Sequence, residues 1–360
     1  MENIDVTTVP NEYKKAVKKE LQGTITEVSY GVRNYINFSR QLVTDQNISS
    51  EEVGRETVKG EMIIKKCNVY LPAGYDPDDK DTKYNVLYLL HGVGGNRYEW
   101  LNSNGKVDGN FIICNIFDNL IANGDIYKMI VVFPEGRSTC DWTDCSFNSE
   151  EINMLGFYYF DYELRYDLMP FIEATYNLYA NIKDTSLKGI AYNRMHRAIA
   201  GLSMGGMQAL NLIVGGYRCD STVYTGTKSD WDNKLDKTVL AQGMKDLFAY
   251  IGAFSNAPTS SDGKILGANI ASSEYRLHLL YITCGDADEI AGKYGYEKAV
   301  QGLEDIARDN IDNYYEIIIK GGIHDFNVWN NGAYNFIHLS FGKRKRNLNS
   351  YIVRKIINLY

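Results

Sequence analysis

Uninterrupted apolar runs, each followed by a stretch of helical character, constrain this chain more than any other feature. "NVLYLLHG" (85–92), "MIVVFPEG" (129–136), "RAIAGLS" (197–203), "LHLLYITCGD" (277–286) and "YYEIIIKGGIHD" (314–325) would be apolar on both faces of any strand they formed. Strands of that kind are covered on both sides, as in a parallel sheet. Between the runs, 111–123, 160–178, 204–215 and 296–310 read as helices. Strand alternating with helix predicts an α/β fold, a mostly parallel central sheet with helices on both faces. "TITEVSYGVRNYI" (24–36) and "EMIIKKCNVYL" (61–71) instead alternate apolar and polar, which predicts half-exposed antiparallel strands.

At 360 residues with 44% hydrophobic content, the chain can bury a large core. No repeat and no Pro/Gly/Ser linker divides it. The formal net charge of -7, from 38 basic and 45 acidic residues well mixed, excludes the basic face that nucleic-acid binding needs. No apolar run is long enough to span a membrane. The first twenty residues carry no apolar signal core, so the chain reads as intracellular or as secreted with its signal removed. None of the six cysteines forms a C-x-x-C pair, which speaks against a zinc site. Cys140 and Cys145 are close enough in sequence to bridge in an oxidising compartment; idle thiols are the simpler account.

The chemistry gathers at the ends of the predicted strands. "RAIAGLSMGGMQAL" contains Gly201-Leu202-Ser203-Met204-Gly205, a G-x-S-x-G nucleophile elbow between a strand and a small-residue helix. As a bare pattern it also suits an ordinary turn serine; the flanking strand and helix favour the nucleophile. A serine hydroxyl needs a base to take its proton. Of the five histidines, His196 and His278 sit at the wrong ends of their strands, and His338 lies within a helical stretch. His91 closes the run before a glycine-rich loop. His324 follows a strand and two glycines and is the predicted base. "CGDADEI" offers Asp286, Asp288 and Glu289 to orient it, with Asp288 preferred. The order Ser, Asp, His is that of the α/β-hydrolases. "LLHGVGGNRYEW" (89–100) reads as the oxyanion loop, with Val93 N–H as one donor and Met204 N–H, just after the serine, as the other. It lacks the GK[ST] of a phosphate-cradling loop.

Taken together, "VYLPAGYD", "YLLHGVGGNRYEW", "VVFPEG", "RAIAGLSMGGMQAL", "CGDAD" and "GGIHDFNVWNNGAYNF" resemble the feruloyl esterase and acetylxylan esterase group of carbohydrate esterases, which are esterase D-like α/β-hydrolases. The resemblance runs from about residue 22 to 341. It implies one hydrolase domain over 22–341, an N-terminal extension over 1–21 and a basic C-terminal tail over 342–360. It implies Ser203 as nucleophile, His324 as base, Asp288 as acid, and Val93 and Met204 as oxyanion donors. No metal or cofactor is called for. The polar stretch 217–247 would be a lid or cap, and 37–59 a long surface excursion. The implied reaction is release of ferulate or related hydroxycinnamates from feruloylated arabinoxylan or its oligosaccharides. Trp142, Trp231 and Phe254 are candidates for an aromatic acyl slot, and Trp329 reads as structural. An acetylxylan or other short-acyl esterase, an acyltransferase, and a non-catalytic carbohydrate-binding protein are the alternatives.

Overall fold

The computed structural model describes residues 5–36, 61–101, 111–146, 152–219, 238–241, 243–343 and 351–359. Its strands are β1 (Thr24–Arg33), β2 (Met62–Leu71), β3 (Asn85–Leu90), β4 (Met129–Phe133), β5 (Arg197–Leu202), β6 (Tyr217–Cys219), β7 (Thr238–Leu240), β8 (Tyr250–Phe254), β9 (Leu279–Gly285), β10 (Asn313–Lys320) and β11 (Tyr351–Asn358). A nine-stranded sheet runs β1-β2-β4-β3-β5-β8-β9-β10-β11. β1 and β2 pair antiparallel, as does β2 with β4; every later pairing in the sheet is parallel. The apolar runs thus became the interior strands: β3, β4, β5 and β9 are buried along their whole length. The alternating segments became the edge pair.

Two hydrophobic layers cover the sheet. One is built from 154–172, the helical stretch 204–214 and the helix Gly263–Ala271. The other holds the helices Ile112–Ala122 and Phe326–Phe341. The expected helix 160–178 is interrupted: Phe160–Glu163 passes through a wider turn, Leu164–Leu168, into Met169–Thr175. Pro170 lies at the start of that last piece, where its missing N–H would break a regular α-helical ladder. The expected helix 296–310 is divided at Gly302, whose φ of 73° is left-handed.

Both chain ends depart from the expected extension and tail. Val6 and Val9 are buried beside the helix Phe326–Phe341, and their segment is tied down by hydrogen bonds from Thr7 N–H to Asn335 Oδ1 (3.1 Å) and Val9 N–H to Asn331 Oδ1 (2.6 Å). At the other end, "YIVRKIIN" is not a solvated tail but β11, paired parallel with β10 along its length. Its alternation explains this: Ile357 is buried, while Arg354 on the opposite phase donates to Glu316 Oε2 at 2.8 Å. Within 217–247, β6 pairs with β7, and Met244 and Leu247 are buried in the core and not in a lid; residues 220–237 and 242, and the excursion 37–59, lie outside the described residues.

Strand β8 went unread in the sequence, and it corrects one assignment. Phe254 ends it, fully buried, with its ring 6.3 Å from Trp100, 6.2 Å from Tyr281 and 6.2 Å from Phe336. It is a core residue and not part of an acyl slot. Phe254→Ala is expected to cost about 3–5 kcal/mol, the usual penalty for emptying a packed phenyl site. Denaturant unfolding measures it; a loss below 1 kcal/mol would contradict the packing described here.

Candidate active site

Parallel sheets place their strand carboxyl ends on one side, and ligands bind there. β5 ends at Leu202, and Ser203 follows with φ 51° and ψ -115°, a strained backbone for a residue with a side chain. The turn is so tight that a Cβ on Gly201 would lie 2.4 Å from the Gly205 carbonyl carbon, and one on Gly205 would lie 2.5 Å from His91 O. Both contacts are with backbone, so neither side chain could be accommodated. Ser203 N–H donates to Phe254 O (2.9 Å), and its own carbonyl accepts from Met207 N–H and Ala257 N–H (both 3.0 Å). The serine is therefore fixed from both sides, with its hydroxyl turned out of the sheet.

The loops after β9 and β10 bring the other two groups to it. His324 Nε2 lies 3.1 Å from Ser203 Oγ, and His324 Nδ1 lies 2.9 Å from Asp288 Oδ2. Asp288 Oδ1 accepts backbone N–H groups from Ala291 (2.8 Å) and Ile290 (3.1 Å). Burial works to raise the Asp288 pKa. The hydrogen bond to His324 and the Ala291 N–H outweigh it, and the carboxyl is held below its ordinary value. An ionised Asp288 accepts from Nδ1–H, which leaves the Nε2 lone pair facing the serine hydroxyl. Asp286 points elsewhere, accepting from Gly321 N–H at 2.7 Å.

Val93 and Met204 line the same cavity as Ser203. Among the described residues neither backbone N–H meets a protein acceptor. Met204 opens the helix Met204–Gln208, where the first N–H groups have no carbonyl one turn back. His91 lies beneath the loop, buried. Its burial and Arg137 push its pKa down to about 3, against the pull of the Gly92 and Glu135 carbonyls that face its two ring nitrogens.

The cavity holds about 230 Å³ and is mostly apolar. Met154 and Tyr158 form one wall; Ile290, Pro258 and Trp329 line it elsewhere. Trp329 meets the His324 ring edge-on at 5.2 Å. The structural role expected of it is therefore not its whole part, since it lines the cavity too. Met154 and Tyr158 were missed. Their i, i+4 spacing in "MLGFY" was the available signal for a shared helical face, but nothing local says which cavity that face meets. Trp142 does not line this cavity: its ring lies 5.7 Å from the Arg97 guanidinium, and its carbonyl accepts from Arg137. Trp231 lies outside the described residues. Cys140 and Cys145 are both free thiols, with Cys145 Sγ 3.3 Å from Arg137 Nη2.

Residues 61–217 match the Esterase family model. Endo-1,4-beta-xylanase Y of Acetivibrio thermocellus is 37% identical over 160 residues, which is 44% of this chain and 12% of that protein. An endo-1,4-beta-xylanase/feruloyl esterase of Xylanibacter ruminicola is 35% identical over 147 residues, 40% of this chain and 17% of that protein. The matches thus span less than a fifth of either relative's length. Among solved structures, a feruloyl esterase module from Clostridium thermocellum in complex with sinapinate superposes with a TM-score of 0.60 at 22% identity, covering 96% of this chain and 97% of that one. That likeness is one of fold. Sheet order, the family-model match over 61–217 and the structural likeness agree on one fold, that of the α/β-hydrolases.

Proposed function

We propose that the chain is a serine carboxylesterase that releases ferulate and related hydroxycinnamates from feruloylated arabinoxylan or its oligosaccharides. The observation that carries this reading is the hydrogen-bonded row Asp288–His324–Ser203, whose last two members line an apolar cavity. Ser203 Oγ attacks the ester carbonyl carbon while His324 Nε2 takes its proton. The carbonyl oxygen, now negative, is received by the N–H groups of Val93 and Met204. Each such donor is worth about 2.7–4 kcal/mol in the transition state. When the tetrahedral adduct collapses, the C–O bond to the sugar alcohol breaks and His324 returns the proton to the leaving oxygen. Water then repeats the sequence on the acyl-enzyme, giving up its proton to His324 and freeing the acid and Ser203. Asp288 stays ionised and stabilises the imidazolium in both halves.

The acyl preference rests on the cavity walls. Trp329, Tyr158, Met154 and Ile290 present aromatic and apolar surface beside the nucleophile, which suits a flat cinnamoyl group better than an acetyl group. The relatives' names, xylanase and feruloyl esterase, and the sinapinate held by the structural neighbour point the same way. The test is hydrolysis of methyl ferulate beside acetylated xylan, with Ser203→Ala as control. Ferulate release that disappears in the variant is the expected result. Release of acetate alone would move the enzyme to short-acyl esters. No release from either substrate would turn attention to acyl transfer to another alcohol or to carbohydrate binding without catalysis.

A further inference from the structure

Glu99 lines the same cavity as Ser203 and His324. Its Oε2 accepts the backbone N–H of Gly92 at 2.7 Å. The turn that carries it is anchored by Glu99 N–H to Asn96 O (3.0 Å) and by Trp100 Nε1–H to Leu90 O (2.9 Å). The same oxygen rests against Gly95, where a Cβ would come within 2.2 Å of it. The carboxylate is thereby tied to the glycine loop on which it packs.

What it holds is one end of the glycine loop. The peptide unit joining Gly92 to Val93 carries the Gly92 carbonyl and the Val93 N–H, which point in opposite directions because the unit is planar and trans. The Gly92 carbonyl accepts from Gly95 N–H (3.2 Å) and faces His91 Nδ1 at 2.7 Å. With the carbonyl held there and the preceding N–H held by Glu99, the direction of the Val93 N–H is restrained from both sides. Gly92 also sits against the nucleophile, since a Cβ on it would lie 3.1 Å from Ser203 Cβ. A shift of the loop would move the donor relative to the serine.

We infer that Glu99 is a positioning residue for the oxyanion site, acting through Gly92 to aim the Val93 N–H at the reacting carbonyl oxygen. The inference rests on the esterase reading above. It predicts an effect on the transition state and little on ground-state binding, because only the developing oxyanion needs the donor in that place. Glu99→Ala should lower kcat for methyl ferulate by about 10- to 100-fold with KM nearly unchanged. Glu99→Gln keeps an acceptor for Gly92 N–H and should restore most of that loss. Gly95→Ala leaves Glu99 in the sequence but displaces its carboxylate, and should reproduce the fall in kcat even if Glu99→Ala does not fold. Steady-state kinetics of the three variants, with Tm recorded for each, decides it. Full kcat in Glu99→Ala, a Gln variant as slow as the Ala variant, or a rise in KM at constant kcat would each overturn the inference. Failure of the esterase reading itself would look different: the unaltered protein would show no hydrolysis that depends on Ser203.

Discussion

On the proposed mechanism, Ser203→Ala is expected to lower kcat for ester hydrolysis by about 10⁶-fold, since a nucleophile and its base act as one unit and removing either forfeits nearly all of their joint effect. The variant should still fold. Ser203 makes its structural bonds through its backbone, to Phe254, Met207 and Ala257, and alanine retains all of them. Alanine also inherits the same left-handed backbone, so the Tm should stay close to that of the parent. Ser203→Gly gives a sharper comparison. Glycine adopts φ 51° without strain and should raise Tm slightly, while being equally inactive. Circular dichroism melts and methyl ferulate kinetics on the three proteins test both statements. Residual activity within a hundredfold of the parent would place the nucleophile elsewhere.

Asp288→Asn is expected to cost about 10⁴-fold in kcat, with the loop geometry intact. An asparagine can keep the 2.9 Å contact to His324 only by presenting an amide group, and it offers no charge to the imidazolium that forms during catalysis. The same substitution has a signature in stability. The folded-state pKa of Asp288 is depressed from 3.8, so the group binds fewer protons folded than unfolded. Its contribution is therefore complete above that ordinary value and is lost as pH falls through the lower folded value. The Tm gap between parent and Asp288→Asn should be widest at neutral pH and narrow as pH drops toward and below 3.8. A gap that widened on acidification would mean that Asp288 is protonated in the folded protein and does not orient His324.

The cavity beside Ser203 shows where reading along the chain stops being informative. Trp142, Trp231 and Phe254 are the aromatic candidates for an acyl slot in the sequence, but aromatic side chains are as useful to a core as to a site. Phe254 went to the core because β8 is an interior strand, flanked by β5 and β9. That strand, "YIGAF", is short, with two small residues among its five, and offers little pattern to read. The actual walls come from segments about 175 residues apart, Met154 and Tyr158 on one side and Trp329 on the other. Glu99 was invisible for the same reason: its partner Gly92 lies seven residues away across a turn. β11 was hidden by its charge, because an edge strand with one wet face can carry lysine and arginine that a buried strand cannot.

What the sequence determined by itself is whatever depends on neighbours in the chain. Unbroken apolar runs require strands covered on both faces, and the glycines flanking Ser203 permit only a turn too tight for side chains. A histidine after two glycines and an acid after a strand then fall at the ends of those strands. What only the tertiary structure decided is which of these ends converge, at 2.9 and 3.1 Å, and which distant side chains close around them. The physical reason is one of range. Backbone conformation and burial pattern are dictated within a few residues, whereas a cavity is the space left where remote surfaces pack imperfectly, and its lining is set by every element that meets there.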